Sequence, residues 1–315
     1  MSEIIDIKTD NLPDADYIFN GSIFKAKNNL YLAYRVNNRL LDARIYLSKL
    51  NKDLQPTGKP KLLNIMNTTA TPVAVWEDPR VFWVNDKLYC AYIFLREGYS
   101  AQAQGLVRLD KNFDPTTVWF IKYGYNHNQA TLEPRREMDP RGFIYTFDPG
   151  QIFEKNWSFF DYEGRMMFIY RSSPHTVVEA DLLRGGIKNE WAARKKLKWR
   201  YGEIRGGTPA YDLGDKYITF FHSSVQKNPM LKVYYMGAYT FEKKPPFKPL
   251  EITKAPLLAG DVTDKNRGLW NNVVVFPCGA VNLGEYWVVS YGHNDYCLKL
   301  LKIPNEELEK KLTKI

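Results

Sequence analysis

A chain of 315 residues with 44% hydrophobic and 25% charged side chains can bury a large core, which excludes a disordered or fibrous protein. No apolar run is long enough to span a bilayer, and the start MSEIIDIKTD lacks the basic head and apolar centre of a signal peptide. The net charge of +9 suits anionic substrates such as phosphate or a nucleotide sugar, and 15% aromatic residues favour strands and surfaces on which pyranose rings stack.

Taken from the N-terminus, the first predicted element is the hairpin SIFKAKNNLYLAYR, near residues 20–35. It follows Asn20-Gly21-Ser22 and turns at Lys27-Asn28-Asn29. The second, RVFWVNDKLYCAYIF near 77–94, follows Glu77-Asp78-Pro79-Arg80 and turns at Asn85-Asp86. The third, SFFDYEGRMMFIYR near 155–171, follows Lys155-Asn156-Trp157-Ser158 and turns at Glu163-Gly164. Next comes the densest basic stretch, ARKKLKWR from Ala193 to Arg200, with Trp191 and Trp199 beside it. Such a patch can hold single-stranded nucleic acid, but flanking Glu190 and Glu203 favour a solvated face, and no nucleic-acid partner is expected. The fourth hairpin, PAYDLGDKYITFFH near 205–222, follows Arg205-Gly206-Gly207-Thr208-Pro209 and turns at Gly214-Asp215. Here a strand follows the glycines, so they form no phosphate loop and instead allow close backbone approach. The fifth, CGAVNLGEYWVVSYG near 275–292, overlaps Val275-Phe276-Pro277-Cys278-Gly279 and turns at Leu283-Gly284-Glu285. The closing PNEELEKKLTKI reads as a short helix with Asn305 as its cap, acids in its first turn and lysines near its end.

The five hairpins share one register. Asn20 and Tyr34, Asp78 and Tyr92, Asn156 and Tyr170, Gly207 and Phe221, and Pro277 and Tyr291 are each fourteen residues apart. Dividing 315 residues among five units gives 63 each, more than the roughly 40–50 that a four-stranded blade needs, so long loops are expected. The predicted fold is all-β, a five-bladed β-propeller with a short C-terminal helix, forming a single domain over residues 1–315. In a blade, the start of the innermost strand and the end of the next share one face of the ring. That face would gather the five signatures with Arg35, Arg171, His222 and His293-Asn294-Asp295.

Three cysteines, Cys90, Cys278 and Cys297, cannot all pair, and reduced core residues are expected. Glycosylation sequons start at Asn20, Asn67 and Asn156; two of these lie on the functional face, where a glycan would block access, so an intracellular, cytoplasmic protein is expected. His127, His175, His222 and His293 show no zinc-site spacing with the cysteines, and neither a metal nor a cofactor is expected.

"EDPR" before a strand, "KN" opening the third unit, "GGTP" before a strand ending in "FFH", and "VVFPCG" followed by "SYGHND" together resemble glycoside hydrolase family 130. That family comprises β-mannoside phosphorylases, with some hydrolases and related β-mannosyltransferases, on a five-bladed propeller. The resemblance implies that Asp78 is the catalytic acid and that Asp295 holds hydroxyls of the transferred sugar. It places Asn20 and Ser22 at the same subsite; Glu77, Asn156 and His293, on the same face, are also expected to bind substrate. Arg35, Arg80, Lys155 and His222 fall where the phosphorylases hold inorganic phosphate. "KNWSFF" and "GHND" depart from the family pattern, His293 standing where the family has alanine.

The chemistry of these residue types agrees. A phosphorylase needs one proton donor and a cationic cradle, because phosphate is already a nucleophile. A transferase with a nucleotide-sugar donor needs the same cradle for the leaving diphosphate, and is the alternative. An inverting hydrolase needs two carboxyl groups about 6.5–9.5 Å apart and leaves the cations unexplained. A sugar-binding propeller needs no proton donor. The structural alternative for Glu77-Asp78-Pro79-Arg80 is an ion pair that pins a strand entrance, and for His175 and His222 a place in the core.

Overall fold

The computed structural model describes residues 1–38, 43–65, 73–96, 102–121, 138–139, 143–144, 155–183, 186–267 and 272–315. Asn67 and His127 lie outside the described residues.

The hairpins form where the turn residues allow them. Lys27-Asn28, Asn85-Asp86 and Glu163-Gly164 all have positive φ at both positions, the two-residue turn whose twist matches that of the flanking strands. Gly214 and Gly284 take φ of 95° and 91° in the longer fourth and fifth turns.

Each hairpin belongs to its own antiparallel sheet. The first sheet runs Tyr17–Ala26, Asn29–Asn37, Ala43–Leu50, Pro56–Leu62. The second runs Val73–Val84, Lys87–Arg96, Gln102–Leu109, Pro115–Ile121, with two short strands beyond. The third is Ser158–Tyr162, Arg165–Ser172, His175–Asp181, Gly186–Ala193. In the fourth, Glu203–Arg205 and Tyr211–Asp212 both pair with Lys216–Asn228, which is followed by Leu231–Glu242 and Pro249–Thr253. The fifth joins Val275–Asn282, Tyr286–His293 and Cys297–Pro304 to the N-terminal strand Glu3–Asp6.

The core lies between sheets, one apolar layer at each junction. Phe24 and Leu47 of the first sheet meet Val81, Cys90 and Tyr92 of the second. Phe82 and Leu106 meet Phe159 and Phe168, then Phe160 and Met167 meet Phe221 and Phe241. Phe220 and Met236 meet Val275 and Val289, and Val288 and Leu300 meet Ile23 and Leu32 of the first sheet. The junctions therefore close on themselves, and the fold is all-β and propeller-like with one short helix. Because both faces of an inner strand are covered, Ile18 to Phe24 are all buried and period-2 alternation is lost, whereas Pro56–Leu62 on the outer edge is mostly exposed.

The aromatics that follow the signatures by fourteen residues fill these layers. Tyr34, Tyr92, Phe221 and Tyr291 are buried, so they are core and not sugar platforms. In the basic stretch, Trp191, Leu197 and Trp199 pack on the third junction while Arg194, Lys195, Lys196, Lys198 and Arg200 stay exposed, the pattern of a solvated face.

The helix Asn305–Lys311 carries Glu306 and Glu307 at its start and Lys310 and Lys311 at its end, as expected. The cap is a correction: Pro304 is the capping residue, with no side-chain bond, and Asn305 donates instead to the Gly284 carbonyl at 2.7 Å. A last strand, Leu312–Lys314, pairs with Pro249–Thr253. Among the described residues no helix is long and apolar enough to cross a membrane, and all three cysteines are unpaired.

Candidate active site

The signature residues mark irregularities at the head of each inner strand. Pairing register shifts between Phe19 and Ser22, between Glu77 and Arg80, and between Pro277 and Gly279. Asn20 and Asp78, inside the first two bulges, and Asn156, just before Ser158–Tyr162, have φ of 49°, 52° and 66°. A bulge re-aims one side chain out of the ladder, and a left-handed non-glycine residue costs on the order of 1–3 kcal/mol. Three such residues at equivalent positions point to a functional constraint. In the fourth unit the glycines instead allow close backbone approach: a Cβ on Gly207 would lie 2.3 Å from the Phe220 carbonyl, and one on Gly206 would lie 1.8 Å from the Asn156 carbonyl.

The bulges bring Asp78 to a buried cluster. Asn20 Nδ2 donates to Asp78 Oδ1 at 2.7 Å, and Arg35 Nη1 approaches the same oxygen at 3.4 Å. Arg35 Nη2 pairs with Glu77 Oε1 at 2.9 Å, and its Nε donates to Asn37 Oδ1 at 2.7 Å. Burial pushes the Glu77 carboxyl up, against the pull of Arg35, with Asp78 adding to the rise. Burial pushes the Lys155 ammonium down, although Asp78 and Glu77 both favour its charge. Asp295 follows Asn294 in a turn where φ is 55° and 51°. Burial pushes its carboxyl up to about 6, with Arg35 opposing and Asp78 and Glu77 reinforcing. Asp78, Glu77, Arg35, Lys155 and Asp295 therefore share one electrostatic site.

Arg80 is wholly buried and holds the protein's own oxygens. Its Nε donates to the Gly207 carbonyl at 2.6 Å, Nη1 to the Asp78 carbonyl at 3.0 Å, and Nη2 to Asn156 Oδ1 at 3.0 Å. One guanidinium thus ties three signature segments together. Ser22 is likewise internal: its Oγ accepts from the Val81 N–H at 2.9 Å, linking the first two inner strands. Asn20 and Asn156 are too buried to carry glycans.

His222 sits against Phe276 and Tyr234, with Nδ1 2.8 Å from the Gly206 carbonyl. That contact requires a proton on Nδ1 and leaves Nε2 as an acceptor. Burial, together with Arg80, Arg205 and Lys155, holds the ring well below its usual pKa, so His222 is a neutral imidazole and adds no positive charge. His293 Nε2 pairs with Asp264 Oδ2 at 2.6 Å, and this contact holds Asp264 below the usual carboxylate range. Arg171 belongs to the third sheet and stacks on Tyr170. His175 is a core histidine packed on Tyr239 and Phe241, its pKa pushed down to about 3 by burial.

Two supporting residues, Asp264 and Asn37, lie outside the sequence motifs, and a third, Asn294, is expected on this face without a stated role. Asp264 lies in GDVTDKNRG, a turn-rich stretch with no repeat partner. Asn294 accepts from the Val274 N–H and donates to the Asn266 carbonyl, at 2.9 Å and 3.1 Å, and so braces the Asp295 turn. Asn37, fourteen residues after no signature, orients Arg35.

Asp295 gives a pH-dependent expectation. Its folded pKa of about 6 exceeds the model-peptide value of 3.8, so its contribution is fully favourable below pH 3.8 and is lost as pH rises through 6. Asp295→Asn removes that penalty and should stabilise the protein at pH 8, by at most about 3 kcal/mol, while the two proteins converge below pH 4. Thermal melts across this range test it, and an equal difference at both ends would refute the ionisation argument.

A closed, propeller-like all-β ring thus groups a carboxylate, an arginine and a lysine where its inner strands begin, and with its family match it is a carbohydrate-active enzyme. The chain belongs to glycoside hydrolase family 130: the family model described as β-1,4-mannooligosaccharide phosphorylase matches residues 2–314. A β-1,2-mannobiose phosphorylase from Thermoanaerobacter sp. (strain X514) is 23% identical over 315 residues, covering 94% of this chain and 93% of the relative. Two solved structures share the fold. The β-1,2-mannobiose phosphorylase from Listeria innocua, in complex with β-1,2-mannobiose, matches with a TM-score of 0.66 at 16% identity, over 98% of this chain and 99% of that one. A mannose phosphorylase from Leishmania mexicana, in complex with phosphate ion, matches with a TM-score of 0.60 at 15% identity, over 99% of this chain and 91% of that one.

Proposed function

We propose that this enzyme cleaves a β-mannoside by phosphorolysis with inversion, in one domain whose five sheets act as five blades. The observation that carries this reading is the grouping of Asp78 with Arg35 and Lys155 at one electrostatic site. A phosphate oxygen attacks the anomeric carbon as the glycosidic C–O bond breaks. Asp78 supplies the proton for the leaving oxygen, through a sugar hydroxyl as the family resemblance implies, and the products are mannose 1-phosphate and a shortened sugar. Asn20 holds the Asp78 carboxyl in place. Arg35 and Lys155 form the cradle, and burial pushes the carboxyls of Glu77 and Asp295 upward, which eases proton uptake beside an incoming anion.

Two of the expected phosphate contacts take other roles in this reading. His222, being neutral, accepts a hydrogen bond from sugar or from protonated phosphate, and Arg80 positions the segments around it. Glu77, Asn156, Asp295 and His293 line the sugar side, with Ser22 supporting from beneath. Buried sequon asparagines and unpaired cysteines favour an intracellular location.

The test incubates the protein with mannose 1-phosphate or GDP-mannose and a panel of acceptor sugars. Oligosaccharide from mannose 1-phosphate, with phosphate released and the reaction reversible, supports phosphorolysis. Product from the nucleotide sugar alone would replace this reading with a transferase, and mannose release without phosphate would replace it with a hydrolase. Lys155→Ala should raise the KM for phosphate by roughly tenfold or more and leave that for mannoside nearly unchanged, because only the anion loses a charge-assisted partner. Equal weakening of both substrates would remove Lys155 from the cradle.

A further inference from the structure

A second cavity, of about 740 Å³, opens at the other end of the same inner strands. Its wall takes in Phe24-Lys25, Val81 to Trp83, Phe160 to Tyr162, Pro209 to Asp212 and Ala280 to Asn282. These lie about four residues beyond Asn20, Asp78, Asn156, Gly207 and Pro277, or roughly 13 Å along a strand. The cavity is thus the rear mouth of the ring, built by all five sheets and separate from the Asp78 cluster. Its volume falls within the range of small-molecule sites, about 300–1,000 Å³.

The chemistry of the wall is uneven. Phe24, Phe82 and Phe160 make an apolar floor. Trp83 stands beside it, 44% exposed as a residue, its indole held by a bond from Nε1 to the Lys25 carbonyl at 3.0 Å. Two acids of the wall are ion-paired, and the third, Asp161, is held by backbone N–H groups and keeps its charge. Asp161 accepts from the N–H groups of Asn85 and Gly164, at 2.6 Å and 2.8 Å. Asp212 accepts from the Gly214 N–H and pairs with Lys243, both at 2.7 Å, and Glu163 pairs with Arg165 at 2.9 Å. Among the described residues, Lys25 and Lys244 have no ion pair, and both are exposed. Three lysines and three carboxylates balance over the whole wall, so what it offers is one fixed aromatic face beside two lysines that make no ion pair.

We propose that the rear mouth is a second ligand site, taking a planar ring that carries a negative charge, stacked on Trp83 and paired with Lys25 and Lys244. A flat ring gains from the exposed indole face, and an anion gains from amines that make no ion pair of their own. A neutral sugar would leave both lysines unanswered. The shared chemistry covers a nucleoside monophosphate and an aromatic acid.

Titration calorimetry with AMP and with naphthalene sulfonate tests this, using adenosine and ribose phosphate as ring-only and anion-only controls. At least one complete probe should bind more tightly than its controls. Tighter AMP identifies the nucleotide as the source, and tighter naphthalene sulfonate an aromatic acid. Trp83→Ala and the double variant Lys25→Glu with Lys244→Glu should each weaken the bound probe by roughly tenfold or more, with glycoside turnover and melting temperature unchanged. Asp78→Asn, at the front mouth, should bind the probe as the wild type does. The proposal is overturned if neither probe binds at millimolar concentration, if both rear-mouth variants bind normally, or if Asp78→Asn abolishes binding.

Discussion

Asp78→Asn should lower turnover by roughly 10²–10⁴ while the mannoside still binds with near wild-type affinity. The substitution is isosteric, and the amide oxygen can still accept from Asn20 Nδ2, which reaches Asp78 Oδ1 at 2.7 Å in the native protein. What is lost is the proton delivered as the glycosidic bond breaks, an interaction made only in the transition state. Affinity and rate should therefore separate, with calorimetry on mannobiose reading one and steady-state kinetics the other. An aryl mannoside with a good leaving group needs little protonation, so its cleavage should be impaired far less. Unchanged turnover on the natural linkage would remove Asp78 from the mechanism. Equal loss on both substrates would make it a structural residue of the bulge.

The second large effect is on stability. Arg80→Ala should destabilise the fold by roughly 3 kcal/mol or more, because each buried acceptor left without a donor costs about 1–3 kcal/mol. Three acceptors lose their donor: the carbonyls of Gly207 and Asp78 and Oδ1 of Asn156. Arg80→Lys should rescue little, since a single ammonium lacks the planar fork that reaches all three. Denaturant melts measure the loss. A direct phosphate contact would behave differently, raising the KM for phosphate with the melting curve unchanged. That outcome would restore Arg80 to the cradle and undo the view of it as a pin.

These two residues stand two positions apart in one tetrapeptide, and the sequence treated them alike. "EDPR" and the fourteen-residue register made the hairpins and their turns legible, because strand period, turn stereochemistry and repeat spacing are local properties. Fates of individual polar side chains were not legible. Whether an arginine meets phosphate or three backbone segments depends on what the neighbouring sheets place around it. Asn305 shows the same limit on a smaller scale: its type and position suggest a cap, yet the turn at Gly284 offers its side chain a nearer acceptor.

By itself the sequence determined that the chain is a repeated series of antiparallel hairpins, with the polar signatures at equivalent points. It also placed Asp78, Arg80 and Lys155 within those signatures. Only the tertiary structure decided that the ring closes through Glu3–Asp6 beside Cys297–Pro304, because no local pattern records which distant strand completes a sheet. It also decided that His222 is neutral and that Asp264 holds His293. Both follow from burial and from charges supplied by other parts of the chain, and a proton's affinity for a site is set by everything around it in space.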